Sequence, residues 1–166
     1  MENNFFGEET AIILGLGELQ VGKCPMGGTI GLGSCIALIL HDQRRSLAGG
    51  LAHIMLPESR GGDTDRPGKF ADTAMSALLE EMGKAGSTKS SITAIVVGGA
   101  SMFEFSANSL NIGERNATAV KERLQEQGIR IEHEETGGKV GRSVYYWPEG
   151  KGRLIIKRAD GTCIAL

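Results

Sequence analysis

The sequence predicts a single mixed α/β domain with several strands and at least two helices. Apolar runs of strand length, such as "CIALIL" at 35–40, alternate along the chain with two longer amphipathic segments. The 166 residues are typical of one domain and can bury roughly 70% of the surface of the unfolded chain. No linker-like stretch divides residues 1–166, so we expect the whole chain to form one domain.

Two apolar runs joined by a short polar link predict an antiparallel hairpin. They are "CIALILHD" at 35–42 and "LAGGLAHIMLP" at 47–57, and the second run ends at a proline. Continuous apolar runs of this kind indicate strands that are covered on both faces. Further extended segments are predicted at 11–22 (interrupted by glycine), 28–32, 92–100, 129–135, 143–147 and 153–158.

Two segments carry apolar residues at helical spacing. In the first, 69–86, apolar side chains recur every fourth residue, at Phe70, Ala74, Leu78 and Met82. The second, 111–128, is apolar along one face and is stopped by Gly128. Both segments are long enough to pack as helices against a sheet.

The composition excludes several classes of partner. Lys and Arg number 18 and Asp and Glu 20, so the chain lacks the basic surface that binds nucleic acid or anionic membranes. Cys24, Cys35 and Cys163 are an odd number of thiols at irregular spacing, which argues against a disulfide framework and for a reducing compartment. With no signal-peptide pattern and no bilayer-length apolar run, we expect a cytoplasmic protein.

Cys35 stands in a setting that the other cysteines lack. The preceding "GLGS" removes side-chain cover, whereas a cysteine that only packs in a core needs no such clearing. His53 lies within the second strand of the predicted hairpin, so strand pairing can bring the imidazole near the thiol. A neutral-pH thiol is only a few per cent thiolate, and a histidine partner supplies the missing base. The pair therefore predicts nucleophilic catalysis.

A catalytic histidine also needs a group that orients its second ring nitrogen. Two residues remain open for this role. Thr29 offers a neutral hydroxyl six residues before the cysteine, and Asp42 offers a stronger carboxylate at a turn where we expect it to be solvated. The other two histidines stand beside charged residues and are expected on the surface: His41 and His133.

Six stretches of the chain stand in one order: "TIGLGSC" at 29–35, "GGLAHIMLP" at 49–57, "GGDTDRPGKFADTAM" at 61–75, "GGASMF" at 98–103, "NIGERN" at 111–116 and "TGGKVGRSV" at 136–144. In these motifs and their order the chain resembles the CheD family of bacterial chemoreceptor glutamine deamidases. The resemblance covers nearly the whole chain, from about residue 9 to about residue 158.

The resemblance implies a role for each of three residues. Cys35 would be the nucleophile, His53 the general base and acid, and Thr29 the residue that orients His53. The implied enzyme is a protein-glutamine glutaminase, a hydrolase that converts chemoreceptor glutamines to glutamates and releases ammonia. We expect no metal and no cofactor. The implied fold is a layered sandwich of mixed sheets flanked by helices, like the catalytic domain of cytotoxic necrotizing factor toxins.

Small residues around the thiol predict where substrate binds. Gly33, Ser34 and Gly99 would let a substrate side chain and backbone amides approach together. Phe103 is predicted to be an apolar anchor for the helical chemoreceptor, with burial in the core as the alternative.

The resemblance also implies association with a CheC-type phosphatase. Three alternatives to receptor deamidation stay open. The chain could act mainly as a binding regulator of that phosphatase, hydrolyse receptor methyl esters with the same thiol, or act on a small amide.

Overall fold

In the part of the chain that the structure describes, two β-sheets pack face to face and two helices cover the other face of the larger sheet. The computed structural model describes residues 12–22, 28–44, 48–61, 65–101, 111–149 and 151–166. The helices are α1 (Ala71–Lys84) and α2 (Ile112–Glu126). This layering of mixed sheets and helices confirms the predicted α+β class, and the likeness to the toxin catalytic domain stays a prediction.

The larger sheet has five strands in the order β1-β4-β3-β5-β6. Their bounds are β1 (Leu19–Gly22), β3 (Ile36–Asp42), β4 (Gly49–Ile54), β5 (Ile92–Gly98) and β6 (Arg130–Thr136). Its neighbouring strands are antiparallel except β5 and β6, which are parallel and are connected through α2. The predicted hairpin is therefore confirmed as β3 and β4.

The two faces of β3 explain the apolar run at 36–40. Alternate residues point to opposite faces of a sheet. Ile36, Leu38 and Leu40 pack with the helices, whereas Ala37 and Ile39 pack with the smaller sheet. Because both faces are covered, no position along the strand requires a polar side chain.

The smaller sheet is antiparallel, with the strand order β2-β7-β8-β9. Its strands are β2 (Gly28–Leu32), β7 (Arg142–Trp147), β8 (Arg153–Arg158) and β9 (Cys163–Ala165). Val144 and Tyr146 of β7 are buried against the larger sheet. The sequence analysis did not predict β9, and of the predicted segment 11–22 only β1 is a strand, with Ile13 forming a single bridge to Gly28.

Two polar residues at the end of β3 are buried, which corrects the expectation that both face solvent. The His41 side chain is only 4% exposed, and its Nδ1 atom forms a hydrogen bond of 2.5 Å with the Tyr146 hydroxyl. Asp42 is fully buried and accepts a hydrogen bond of 3.0 Å from the Arg44 N–H. Within the described residues, no helix has both the length and the apolar character needed to cross a bilayer.

Candidate active site

Cys35 lies just before β3, where the loop of Gly33 and Ser34 enters the larger sheet. Its carbonyl oxygen accepts a hydrogen bond of 2.9 Å from the Gly99 N–H, and the Gly33 carbonyl accepts one of 2.9 Å from Ala100. The Cys35 side chain is half-buried and packs against the core between the two sheets. Backbone bonds on both sides of the thiol therefore fix its position.

The glycine pair at the end of β5 allows the backbone there to approach the Cys35 carbonyl closely. Gly98 has φ +117°, and a Cβ built on it would lie 2.2 Å from the Cys35 carbonyl oxygen. Gly99 has φ +65° and packs against the backbone of Gly113 at the start of α2. Side chains cannot fit at these positions, so the backbone after β5 directly supports the Cys35 backbone.

His53 lies on β4, and its backbone pairs with Ala37 of β3. Cys35 precedes Ala37 by two residues, so the thiol and the imidazole point to the same face of the larger sheet. They are diagonal neighbours, a separation that longer side chains can span. The structure thus brings the predicted nucleophile and the predicted base to one face, which is the face that meets the smaller sheet.

Thr29 reaches His53 from the smaller sheet. The Thr29 hydroxyl is fully buried and forms a hydrogen bond of 3.1 Å with Nδ1 of His53. When Nδ1 carries the proton and donates it to this hydroxyl, Nε2 keeps the lone pair that a general base needs. Asp42, the rival orienting residue, lies at the opposite end of β3 and bonds to Arg44 instead.

Burial gives both predicted catalytic groups their neutral forms. Burial raises the pKa of the Cys35 thiol above its ordinary value. Burial lowers the pKa of His53, and the Leu14 carbonyl and the Glu18 carboxylate, which favour the charged ring, only partly offset it. Both shifts favour a thiol and an uncharged imidazole over a thiolate–imidazolium ion pair.

The Nε2 atom of His53 is the ring nitrogen that does not bond to Thr29. It is buried and has no hydrogen-bond partner within the described residues. Catalytic hydrogen bonds are often long in the absence of substrate and tighten when substrate binds. The arrangement places a half-buried thiol on the same sheet face as a buried imidazole whose Nδ1 is bonded to a hydroxyl.

The structure places some of the other predicted site residues near Cys35, and the rest lie elsewhere or outside the described residues. Gly33 and Ser34 form the loop before the thiol, and the Gly99 N–H already donates to Cys35. Contact of these residues with substrate stays a prediction. Phe103 lies outside the described residues, as does Cys24, and Cys163 is exposed on β9.

The sequence analysis missed Asn116, a fully buried residue of α2. Its Nδ2 donates hydrogen bonds of 3.0 Å to the Ser34 carbonyl and 2.8 Å to the Met55 carbonyl. The available signal was position: Asn116 stands four residues before Val120 on the apolar stripe of the helix. A polar amide on a buried face must find partners, and here both partners are next to the site.

Comparison with known proteins identifies relatives over most of the chain. The sequence model of the family described as "CheD chemotactic sensory transduction" matches residues 55–158. A protein of Thermotoga maritima named chemoreceptor glutamine deamidase CheD is 45% identical over 150 residues, which are 90% of this chain and 92% of that protein.

Two further relatives are named probable chemoreceptor glutamine deamidase CheD. The protein of Methanococcus vannielii is 46% identical over 129 residues, covering 78% of this chain and 83% of its own length. The protein of Archaeoglobus fulgidus is 43% identical over 151 residues, covering 90% of this chain and 94% of its own length.

A thiol, an imidazole and a hydroxyl gathered where two sheets meet are the residue types of a cysteine hydrolase on a layered α+β fold. Within that class, the match to the family model and the identity to these relatives place the chain: it belongs to the CheD family.

Proposed function

We propose that this protein is a chemoreceptor glutamine deamidase, which hydrolyses glutamine side-chain amides to glutamate and releases ammonia. The observation that carries the proposal is the buried His53, bonded through Nδ1 to Thr29 on the face that presents Cys35. The names of the relatives support the substrate, since proteins 45–46% identical to this chain are named for that activity.

The first half-reaction transfers the acyl group to sulfur. Nε2 of His53 takes the proton of the Cys35 thiol as Sγ attacks the amide carbon, and the carbonyl π electrons move to oxygen. The tetrahedral intermediate then reforms its carbonyl and breaks the C–N bond. His53 protonates the departing nitrogen, so ammonia leaves and a glutamyl thioester remains on Cys35.

The second half-reaction returns the enzyme to its starting state. His53 takes a proton from water as the water oxygen attacks the thioester carbon. The C–S bond breaks, glutamate is released, and the Cys35 sulfur recovers its proton from His53. In both halves the Thr29 hydroxyl accepts the Nδ1 hydrogen, which keeps Nε2 available for proton transfer.

The neutral resting pair favours this coupled proton transfer. Burial raises the pKa of Cys35 and lowers the pKa of His53, so charge separates only as the S–C bond forms.

The same site would accept a receptor methyl ester, because an ester is an easier acyl donor than an amide. Association with a CheC-type phosphatase is the second part of the proposal, and the alternative function is regulation of that phosphatase by binding alone. The presence of Cys35, His53 and Thr29 in one arrangement favours catalysis, since a binding module needs none of them.

The test is to incubate the protein with the cytoplasmic helical fragment of a chemoreceptor and to measure ammonia and the Gln-to-Glu mass change. Cys35→Ala should abolish both while its circular dichroism is unchanged, and Cys163→Ser is the matched thiol control that should stay active. A methyl-esterified fragment in a parallel assay separates esterase from deamidase activity. Ammonia release by folded Cys35→Ala would overturn the mechanism.

A further inference from the structure

Asn116 is an amide on a helix stripe where only apolar side chains would be expected. It is fully buried, and its neighbours on the stripe, Val120 and Leu124, pack in the core between the helices and the larger sheet. An unbonded amide in such a place is strongly destabilising. The Nδ2 group donates to the carbonyls of Ser34 and Met55, whereas Oδ1 is buried without a hydrogen-bond partner among the described residues.

These two carbonyls belong to the strand ends that carry the predicted catalytic pair. Ser34 immediately precedes Cys35, and Met55 follows His53 by two residues. The backbone pairing of β3 with β4 ends at Ile36 and Ile54, so Asn116 bonds both segments just beyond the last pair. It continues the connection between the strands at the point where backbone pairing stops.

The bond to Ser34 also determines where the Cys35 N–H points. The Ser34 carbonyl and the Cys35 N–H belong to one planar trans peptide, so they point in opposite directions. Asn116 draws the carbonyl toward α2, on the helix side of the sheet. The N–H is therefore directed away from α2, toward the side where the thiol and His53 lie. Within the described residues, no hydrogen bond from the Cys35 N–H to a backbone carbonyl is found.

A second contact joins α2 to the backbone next to Cys35. A Cβ built on Gly113 would lie 2.5 Å from the Gly99 carbonyl oxygen, so the start of the helix touches the glycine pair. Gly99 in turn donates its N–H to the Cys35 carbonyl. The first turns of α2 thus support the peptide before Cys35 directly and the peptide after it through Gly99.

We propose that Asn116 is a positioning residue for the reaction: it fixes the Ser34–Cys35 peptide so that the Cys35 N–H donates a hydrogen bond to the oxyanion of the tetrahedral intermediate. The inference rests on the proposed function for the identity of that intermediate. Asn116 itself touches neither substrate nor the reacting atoms. Its effect is exerted through the peptide that it holds.

The primary test compares wild type with Asn116→Leu, which keeps a side chain of suitable polarity for the stripe but removes both donors. Loss of an oxyanion donor costs about 10²–10³-fold in kcat. We expect a fall of this size with a smaller change in KM. Alkylation of Cys35 by iodoacetamide should be unchanged, because that substitution forms no oxyanion. Val120→Ala is the control: it destabilises the same helix stripe without touching either carbonyl, and should keep its kcat.

Parallel loss of kcat and alkylation in Asn116→Leu would overturn the inference, because Asn116 would then hold the thiol itself. A folded Asn116→Leu with the kcat of wild type would overturn it as well.

A reversible peptide aldehyde, with the aldehyde in place of the glutamine amide, separates this inference from the proposed function. The thiol adds to the aldehyde carbon, and its proton passes to the aldehyde oxygen, which occupies the oxyanion position. Asn116→Leu should bind the aldehyde at least tenfold more weakly than wild type, by about 1.4 kcal/mol or more. Equal affinities contradict the inference. If wild type binds the aldehyde but never deamidates a receptor, the proposed function fails while the role of Asn116 stands.

If Asn116→Leu does not fold, a measurement on wild type tests whether the Cys35 N–H bonds the oxygen of the adduct. The amide proton of Cys35, observed by NMR in ¹⁵N-labelled wild type, should move downfield when the aldehyde adduct forms. An unmoved resonance would show that this N–H does not bond the oxygen and would overturn the inference.

Discussion

Cys35 is half-buried and His53 is buried, and for each side chain burial disfavours the charged form. Burial raises the pKa of the thiol and lowers that of the imidazole. The two shifts together disfavour a preformed ion pair, because each opposes transfer of the thiol proton to the ring. The thiol therefore loses its proton to His53 only during attack, when the forming S–C bond stabilises the sulfur.

The raised pKa of Cys35 predicts how the thiol reacts as pH changes. In a Cys24→Ser/Cys163→Ser protein, Cys35 is the remaining thiol, and its alkylation by iodoacetamide can be followed alone. We expect the rate constant to rise through the ordinary thiol pKa of about 8.5 without reaching a plateau there, because the folded-state pKa lies higher. A plateau that begins near neutral pH would show a thiolate–imidazolium pair and contradict the neutral resting state.

Substitutions of His53 and of Thr29 should differ in their effect on activity. His53→Ala removes the general base and should lower kcat by about 10²–10⁴-fold. Thr29→Ala removes only the hydroxyl that orients the ring, so we expect a smaller loss, measured as ammonia release from the receptor fragment. Thr29→Ser retains a hydroxyl and should recover most of the activity. Equal losses in Thr29→Ala and Thr29→Ser would show that the hydroxyl is not what matters.

At the scale of elements, the site depends on a backbone-to-backbone contact between β5 and the start of β3. The positive φ of Gly98 and its approach to the Cys35 carbonyl leave no room for a side chain. No side chain lies between the two backbone segments, so movement of one segment displaces the other.

Two glycine substitutions test this contact against ordinary helix propensity. Gly98→Ala adds a Cβ that would lie 2.2 Å from the Cys35 carbonyl oxygen and should greatly reduce both stability and ammonia release. Gly83→Ala, within α1, meets no atom within 4 Å and should raise the free energy of unfolding by roughly 0.5–1 kcal/mol with activity unchanged. Chemical denaturation measures both. Wild-type activity in Gly98→Ala would show that the contact is dispensable.

The elements also show what the sequence could and could not predict. The β3–β4 hairpin follows from two apolar runs and a short link, and pairing then brings Cys35 and His53 to one face. By contrast, residue spacing cannot reveal the bond from Asn116 to Ser34, which joins residues 82 positions apart. Charged neighbours suggested a surface position for His41, but the smaller sheet covers it, and no local pattern predicts that packing.

At the scale of the whole molecule, one partly buried carboxylate connects the two sheets. Glu135 of β6, in the larger sheet, accepts hydrogen bonds from Arg142 of β7 and Arg158 of β8, in the smaller sheet. Arg142 also donates to the Gly137 carbonyl at 2.8 Å. Burial alone would raise the pKa of Glu135, but the bonds from Arg158 and Arg142 outweigh it and hold the pKa below its ordinary value.

Replacing this carboxylate should weaken the fold in a pH-dependent manner. Glu135→Gln leaves two arginines without their counter-charge and should lower the free energy of unfolding at pH 7 by on the order of 3 kcal/mol. Because the folded-state pKa is lowered, the carboxylate stabilises the fold above its unfolded pKa of about 4.3, and this contribution is lost as pH falls through the folded-state pKa.

The difference between wild type and Glu135→Gln should therefore shrink as the solution becomes acidic. Denaturation curves at several pH values measure it. Glu126→Gln breaks an exposed pair with Arg123 and is the control, with little effect expected at any pH. A difference that does not change with pH would show that the charge of Glu135 is not responsible.

The division of the site between two sheets has a consequence for the order in which a new chain becomes competent. Cys35 and His53 leave the ribosome early and can pair within their own hairpin. The strand that bears Thr29 bonds to β7, whose residues are made more than a hundred positions later. A nascent chain therefore carries its thiol and imidazole through most of synthesis without the hydroxyl in place. The set is completed only when β7 has docked, so translation itself delays the chemistry until residues 142–147 have been made.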